Sequence, residues 1–313
     1  MKRIYRIIRG LFAIIGLLTV MLLVWMKISG QYITIHEGDK LLYPARVDSL
    51  RAAGAYSPDT VDFNMRIVQD SVRAKEIRDY FQLDTLYTAD SPTWEKAVAI
   101  ASFVERNIPH ANQKVEPEHR NAIALWEYTR EVEPGFNCRL HSILTFELML
   151  AAGLTPKFVT CLPQDRNDPD CHVVNEVWLP ELGKWAMIDS DMGGHYVSDE
   201  NDVPLSLAEM RDHYIAGEKM WMHPGFGKGS NKLSQYYAYM AKNTYWFMCE
   251  EELTYGVEDH PAGDANRGRM LNLIPAGYVP FGTWDNSVNT TNAERFWAKP
   301  EHLDILQQSK LYE

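Results

Sequence analysis

Three side chains in the middle of the chain, Cys138, His172 and Asp189, are of the types that nucleophilic catalysis uses. A thiol attacks as the thiolate, and it needs a base or an imidazolium partner to ionise at neutral pH. An imidazole needs a third group, often a carboxylate, to fix its tautomer and orientation. We therefore predict that Cys138 is a nucleophile, that His172 is first a base and then an acid, and that Asp189 orients the imidazole.

The stretch GFNCRLHSILTFELML, residues 135–150, predicts a buried helix whose first turn holds Cys138. The stretch is apolar nearly all round from its sixth residue onwards, which is typical of a helix inside a domain. Gly135 allows a tight turn and Asn137 is a good N-cap residue. The cysteine is therefore expected at the one end of the helix that need not be buried.

An oxyanion that forms at Cys138 would need hydrogen-bond donors. Backbone N–H groups in the first turn of a helix have no intrahelical partner, so the amide of Cys138 is one candidate donor. The sequence does not identify the second donor. Gln113 and Trp126, which precede Cys138 in the chain, are the candidates.

Three β-branched or aromatic runs, KFVTCL, CHVVNEVWL and KWAMIDS, follow the helix and predict three strands. If residues 179–182 form a four-residue hairpin loop, Trp178 lies opposite Gly183, and His172 then lies opposite Asp189. Directly opposed residues have Cβ atoms about 4.5–5.5 Å apart on the same face of a sheet. The length of the loop therefore predicts a carboxylate beside the imidazole.

Residues 91–192 resemble the core of the transglutaminase-like superfamily, through the segments SPTWEKAVAIASFVERNI, FNCRLHSILTFELMLAAGLTPKFVTC and CHVVNEVWLPELGKWAMIDSD. The family's order of Cys, His and Asp is matched by Cys138, His172 and Asp189. The resemblance implies a papain-like α+β fold in which the helix that bears the cysteine packs on an antiparallel sheet. It also implies acyl transfer from an amide through a thioester, with water or an amine as the acceptor.

The sequence departs from the family pattern at two places. An aromatic residue often stands two positions after the family's histidine, where this chain has Val174. The aspartate is commonly followed by proline, whereas Asp189 is followed by Ser190. Both departures leave the catalytic groups in place and leave the cleft wall and the substrate specificity open.

The first 30 residues predict an N-terminal signal anchor. Four basic residues precede an uncharged apolar run at residues 11–26. Positive charge before such a run predicts that the N-terminus stays inside and that the body is extracytoplasmic, periplasmic or at the cell surface. A cleaved signal peptide is the alternative, but its only plausible end, Gly30, is a poor match to a small-x-small cleavage site.

The rest of the chain divides around the predicted core. Residues 31–90 are interpreted as an irregular spacer followed by an amphipathic helix at 61–81. The core is assigned to 91–200, and 201–313 to an aromatic-rich C-terminal extension packed on it. In that extension LSQYYAYMAKNTYWFM suggests a helix, whose aromatic side chains form either a packing layer, which we favour, or a wall that faces a peptide or a glycan.

The composition excludes one class of partner. The chain of 313 residues is 46% hydrophobic, which is enough to bury a sizeable core, and its formal net charge is −11. Nucleic-acid binding requires Lys and Arg to neutralise phosphates, and no basic stripe offsets the acidic balance. We therefore expect no nucleic-acid partner.

The four cysteines show no dense disulfide framework. A bridge between Cys161 and Cys171 is possible, although two half-buried thiols are the favoured interpretation. For a metal site, Cys138 and His141 share a helix face, but Cys171 and His172 are neighbours on a strand and point to opposite faces. We therefore expect neither a metal nor a cofactor.

Together these features predict a membrane-anchored cysteine enzyme that acts on a peptide or protein substrate. Water is the favoured acyl acceptor, which makes the enzyme a protease or amidase. The alternatives are a cross-linking transglutaminase with an amine acceptor, and a non-catalytic peptide- or glycan-binding module at the membrane surface.

Overall fold

The structure is a computed structural model that describes residues 9–21, 36–168, 170–223, 233–260 and 267–304. Its helices are α1 (9–21), α2 (His36–Ala52), α3 (Ser71–Phe81), α4 (Thr93–Asn107), α5 (Ala122–Glu131), α6 (Cys138–Ala151), α7 (Leu207–Ala216), α8 (Leu233–Asn243) and α9 (Ala293–Phe296). Its strands are β1 (Arg66–Gln69), β2 (Pro156–Leu162), β3 (His172–Leu179), β4 (Lys184–Ile188), β5 (Tyr196–Ser198), β6 (Trp221–His223), β7 (Trp246–Glu250), β8 (Glu252–Leu253), β9 (Met270–Leu273), β10 (Ser287–Thr290) and β11 (Glu301–Asp304).

A six-stranded sheet in the order β10-β9-β7-β2-β3-β4 carries the core, and only its β9–β10 pair is parallel. Helix α6 packs on β2 and β3, and α3, α4 and α5 also contact it. Each of its residues from Leu140 to Ala151 is buried, as the apolar pattern predicts. The predicted helix and three strands are thus confirmed, in a mixed α+β arrangement consistent with a papain- or transglutaminase-like core.

The predicted register of the β3–β4 hairpin is wrong by two residues. Leu179 pairs with Lys184 and Trp178 with Trp185, so the four loop residues are 180–183. Because side chains alternate with a period of two, a shift of two positions keeps every residue on its predicted face. His172 and Asp189 therefore lie on one face as diagonal neighbours, a separation that long side chains can still bridge.

Two predictions for the N-terminal region are wrong. The expected irregular spacer contains α2, which includes Pro44 and packs on α7 and α8 with Val47 and Leu50 buried. This helix depends on tertiary packing, which its weak apolar periodicity does not reveal. The predicted helix at 61–81 divides into β1 and α3, because Asp70 caps α3 by accepting hydrogen bonds from two backbone N–H groups.

The segment that follows the predicted core supplies three further strands of the same sheet. LSQYYAYMAKNTYWFM is helical only through Asn243, after which Trp246 begins β7 between β2 and β9. Trp246 and Phe247 are fully buried, so packing accounts for these aromatic side chains. In a second sheet, β11-β1-β8, strand β1 pairs in parallel with β8 and with β11 near the C-terminal end of the described chain.

The predicted anchor is described only in part. In α1 the large apolar side chains are each more than half exposed. No helix within the described ranges combines the length and the hydropathy that a membrane crossing requires. Residues 1–8 and 22–30 of the predicted segment lie outside the described residues.

All four cysteines are free. Cys161 lies opposite His172 in the β2–β3 ladder, so Cys171 is one position out of register with it. Since neighbouring residues of an extended chain point to opposite faces, this register does not favour a Cys161–Cys171 bridge.

A buried ion pair joins the two strands beneath α6. Lys157 lies opposite Glu176, and Nζ is 3.1 Å from Oε2 with both side chains fully buried. The Nζ atom also lies 3.9 Å from the ring centroid of Trp185 and 4.3 Å from that of Trp297. Burial lowers the pKa of Lys157 and raises that of Glu176, although each partner opposes the other's shift.

Breaking this pair should destabilise the protein strongly. Lys157→Met leaves the Glu176 carboxylate buried and unpaired, which should lower the free energy of unfolding by about 3–5 kcal/mol in urea denaturation. The matched control is Lys75→Met, which breaks an exposed i,i+4 pair with Asp79 and should cost about 1 kcal/mol or less. Equal losses of unfolding free energy in the two variants would show that the fold depends no more on the buried pair than on the exposed one.

Candidate active site

The start of α6 is held by an N-cap and by a close backbone contact. The Asn137 side chain accepts hydrogen bonds from the amides of Arg139 and Leu140. A Cβ at Gly135 would lie 2.2 Å from the carbonyl oxygen of Pro109, so only glycine permits this approach. Gly135 therefore allows close packing against the segment that follows α4, in addition to the turn that the sequence predicts.

Cys138 is the first residue of α6 and is only half-buried. Its backbone N–H has no hydrogen-bond acceptor anywhere in the described ranges. The amide is thus available as a donor beside the thiol, as the sequence predicts.

A short hydrogen bond joins the other two predicted residues. His172 Nε2 lies 2.6 Å from Asp189 Oδ2, and both side chains are buried. The same oxygen accepts from the hydroxyl of Tyr236 at 2.8 Å, while Oδ1 accepts from the amide of Asp191 at 2.9 Å. Three donors therefore hold the carboxylate in one orientation.

The second nitrogen of His172 is left for the thiol. Nδ1 is buried and has no hydrogen-bond partner in the part of the chain that is described. Sγ of Cys138, a ring nitrogen of His172 and a carboxylate oxygen of Asp191 all lie within 4.8 Å of one another. Burial by itself lowers the pKa of His172, but the Asp189 carboxylate and the Cys138 thiol together raise it well above the ordinary value.

Asp191, which the sequence analysis did not select, is a second buried carboxylate at the site. It accepts from Nδ1 of His110, at 2.8 Å from Oδ2 and 3.0 Å from Oδ1. His141 Nδ1 lies 3.5 Å from Oδ1. Burial raises the pKa of Asp191, but the hydrogen bond from His110 and the nearby imidazoles outweigh burial and lower it.

Helix α8 adds a wall of tyrosines on the side of His172. Tyr236 donates to Asp189, and Tyr239 donates to the carbonyl oxygen of Cys171 at 3.1 Å. The Tyr239 ring is 5.4 Å from the His172 ring in an edge-on arrangement. The i,i+3 spacing of the two tyrosines is the available signal in the sequence, where packing is favoured over a wall that faces a peptide or a glycan.

The other candidates from the sequence lie elsewhere or have other partners. Gln113 Oε1 accepts from the amide of Asn137, so its side chain contacts the start of α6. Trp126 stacks on Phe103 at 5.2 Å and also packs against Phe81, within the helical layer.

The metal alternative built on His141 is not supported by the geometry. Both ring nitrogens of His141 lie within hydrogen-bond distance of backbone carbonyl oxygens, those of Asn137 and Ile108. Within the described residues, the single group of three side chains close enough to share an ion is Cys138, His172 and Asp191. The expectation that the site works without a metal or cofactor stays a prediction.

Comparison with known proteins agrees with the family resemblance. Residues 81–190, which contain all three predicted catalytic positions, match the transglutaminase-like superfamily, so the resemblance is confirmed over that segment. This match supports a cysteine-dependent enzyme.

One solved structure to which the chain is similar is described as a putative cysteine protease from Cytophaga hutchinsonii. The two share 16% sequence identity over 37% of each chain, with a TM-score of 0.30, so the match spans well under half of that neighbour. Comparison with curated proteins gave no match.

His195 is a further buried histidine at the site. Its ring stacks on Tyr236 at 4.3 Å and 11°, and neither ring nitrogen has a partner among the residues described. Burial lowers the pKa of His195, the nearby His172 lowers it further, and the two aspartates oppose the shift. Folding therefore favours the neutral form of this imidazole.

This histidine should make the protein less stable in acid. Unfolding frees His195 to titrate at an ordinary pKa of about 6.5, so the unfolded state binds more protons as the pH falls below that value. His195→Phe keeps the stack on Tyr236 and removes the titration. Between about pH 7.5 and about pH 5, we expect the free energy of unfolding to fall less in the variant than in the wild type. Parallel curves in urea denaturation would contradict this account.

Proposed function

We propose that the protein is a membrane-anchored cysteine hydrolase of the transglutaminase-like class, with Cys138 as nucleophile, His172 as base and acid, and Asp189 as orienter. The observation that carries this proposal is the 2.6 Å hydrogen bond from His172 Nε2 to Asp189. Among the described residues the buried Nδ1 then has no hydrogen-bond partner, and a ring nitrogen of His172 lies within 4.8 Å of Sγ. A neutral imidazole that donates through Nε2 can only accept through Nδ1. The ring is therefore set to take the proton of Cys138.

The chemistry follows from that arrangement. Proton transfer from Sγ to Nδ1 gives a thiolate and an imidazolium, which the Asp189 carboxylate stabilises. The thiolate attacks an amide carbonyl carbon, and the resulting oxyanion accepts from the amide of Cys138. As the C–N bond breaks, His172 returns the proton to the leaving amine, and a thioester remains.

Water is the proposed acyl acceptor. His172, neutral again, takes a proton from water as the water attacks the thioester, and it then protonates the departing Cys138 sulfur. Peptides or proteins are the proposed substrates. A primary amine could replace water without any change in these residues, so cross-linking is the alternative outcome of the test.

The thiol should be both reactive and essential. We expect iodoacetamide to label Cys138 at pH 6–7 well before the other three thiols, because burial raises their pKa values, that of Cys249 to about 12. His172→Ala should remove this advantage, and it should lower kcat on a peptide amide by about 10²–10⁴-fold. Cys138→Ala should abolish turnover, whereas Cys249→Ala is the matched control that retains it.

The same assay identifies the acceptor. With a peptide and a primary amine present together, release of the free acid supports hydrolysis, whereas formation of the peptide–amine product supports cross-linking. Equal, slow labelling of all four thiols, with peptide binding but no product that depends on Cys138, would refute the enzyme and favour a binding module.

We propose that α1 belongs to an uncleaved anchor that holds the catalytic body outside the cytoplasm. Its apolar side chains are exposed, and basic residues precede them in the sequence. These features support a membrane location because the exposed apolar surface has no protein partner among the residues described.

The anchor should place the full-length chain in the membrane fraction. Ile14→Arg with Leu18→Arg should release the protein, since each arginine at the centre of a spanning helix costs about 2.5–3.5 kcal/mol. The matched control is Val72→Arg, which changes an exposed apolar residue of α3 and should leave fractionation unchanged. A soluble product that begins after Gly30 would show instead that the segment is a cleaved signal peptide.

A further inference from the structure

His110 is fixed beside the start of α6 although it is distant from Cys138 in sequence. It follows α4 and forms an isolated parallel bridge with Phe136, and the amide of Ala111 donates to the carbonyl oxygen of Phe136 at 3.0 Å. The glycine-only contact of Gly135 with Pro109 lies next to this bridge. The backbone of His110 is thus fixed beside Phe136, two residues before Cys138, where α6 begins.

The His110 side chain forms a second His–Asp pair at the site. Its Nδ1 binds both oxygens of Asp191, whose side chain is fully buried, while the imidazole itself is 35% exposed. An oxygen of Asp191 lies within 4.8 Å of Cys138 Sγ. Nε2 is therefore the ring nitrogen available to a ligand, and no group in the described ranges is hydrogen-bonded to it.

The protonation of His110 decides what Nε2 can do. A neutral ring that faces a carboxylate holds its one proton on Nδ1, so Nε2 is then an acceptor, and Nε2 donates only in the imidazolium. The hydrogen bond to Asp191 raises the pKa of His110, while burial and the charge of His172 oppose the shift. The charged groups that face the ring are Asp191, Asp189 and His172, and His141 contacts Asp191 from α6.

We propose that His110, oriented by Asp191, is the second oxyanion donor of the site. This inference rests on the proposed function. When Sγ bonds to the carbonyl carbon, the π pair moves to oxygen, and Nε2–H of His110 and N–H of Cys138 both donate to that oxygen. The proton stays on His110 throughout, and the oxygen re-forms its double bond as the bond to the leaving group breaks. His110 is thus a catalytic residue, and Asp191 is a positioning residue.

The test separates oxyanion formation from thiol reactivity. Acylation by p-nitrophenyl acetate passes through an oxyanion, whereas alkylation by iodoacetamide does not. His110→Ala should lower the acylation rate by about 10²-fold, the usual loss for one such donor. His110→Gln, whose amide does not titrate, should retain part of the rate, and His119→Ala, at an exposed histidine, should retain all of it.

A charge-balanced variant excludes an indirect effect on the thiol. His110→Ala combined with Asp191→Asn removes both charges, so alkylation of Cys138 should remain near the wild-type rate while acylation stays low. Asp191→Asn alone should move the high-pH loss of acylation to lower pH, because it removes the partner that keeps Nε2 protonated. A merely structural role would produce no such shift.

Each outcome has one meaning. Wild-type acylation rates in His110→Ala, with Cys138 still reactive, would overturn the role of His110 and leave the proposed function standing. Equal losses of acylation and alkylation in the double variant would assign His110 to the structure of the site and overturn the proposal. A wild-type protein with no selective labelling of Cys138 and no acylation would overturn the proposed function and this inference with it.

Discussion

The burial of helix α6 is the constraint on which the rest of the structure depends. Because its side chains from residue 140 onwards are buried on all sides, the helix cannot slide or rotate without exposing apolar surface or opening a cavity. The Ser142 hydroxyl donates to the carbonyl oxygen of Val173, and the Asn175 amide donates to the carbonyl oxygen of Ser142. These bonds fix the distance between the start of α6 and the strand that carries His172.

Buried carboxylates in an acidic protein require compensation, and the site supplies it with hydrogen bonds. Asp189 accepts from an imidazole, a phenol and a backbone amide, and Asp191 accepts from His110. In a low-dielectric interior such bonds are strong, and an unpaired charge would be costly. The same bonds hold each imidazole in one orientation, which is the preorganisation that proton transfer beside a thiol requires.

Local patterns in the sequence predicted α6, its cap at Asn137 and the three strands that follow, because each of these elements has its own periodicity and punctuation. The register of the hairpin was predicted two residues out. The predicted face of each side chain is still correct, because side chains on a strand alternate with a period of two residues. His172 and Asp189 therefore still contact each other, as diagonal neighbours. The helix α2 was missed because its apolar face is weak and its packing partners, α7 and α8, are distant in sequence.

By itself the sequence determined the chemical types of the site and their order along the chain, since a thiol at a helix start and an imidazole and a carboxylate on adjacent strands follow from local rules. Only the tertiary structure decided which further groups surround them. His110, His195 and Tyr236 reach the site from segments with no local signal that relates them to His172 and Asp189. They meet there because long-range packing sets the distances between elements, and no periodicity along the chain records those distances.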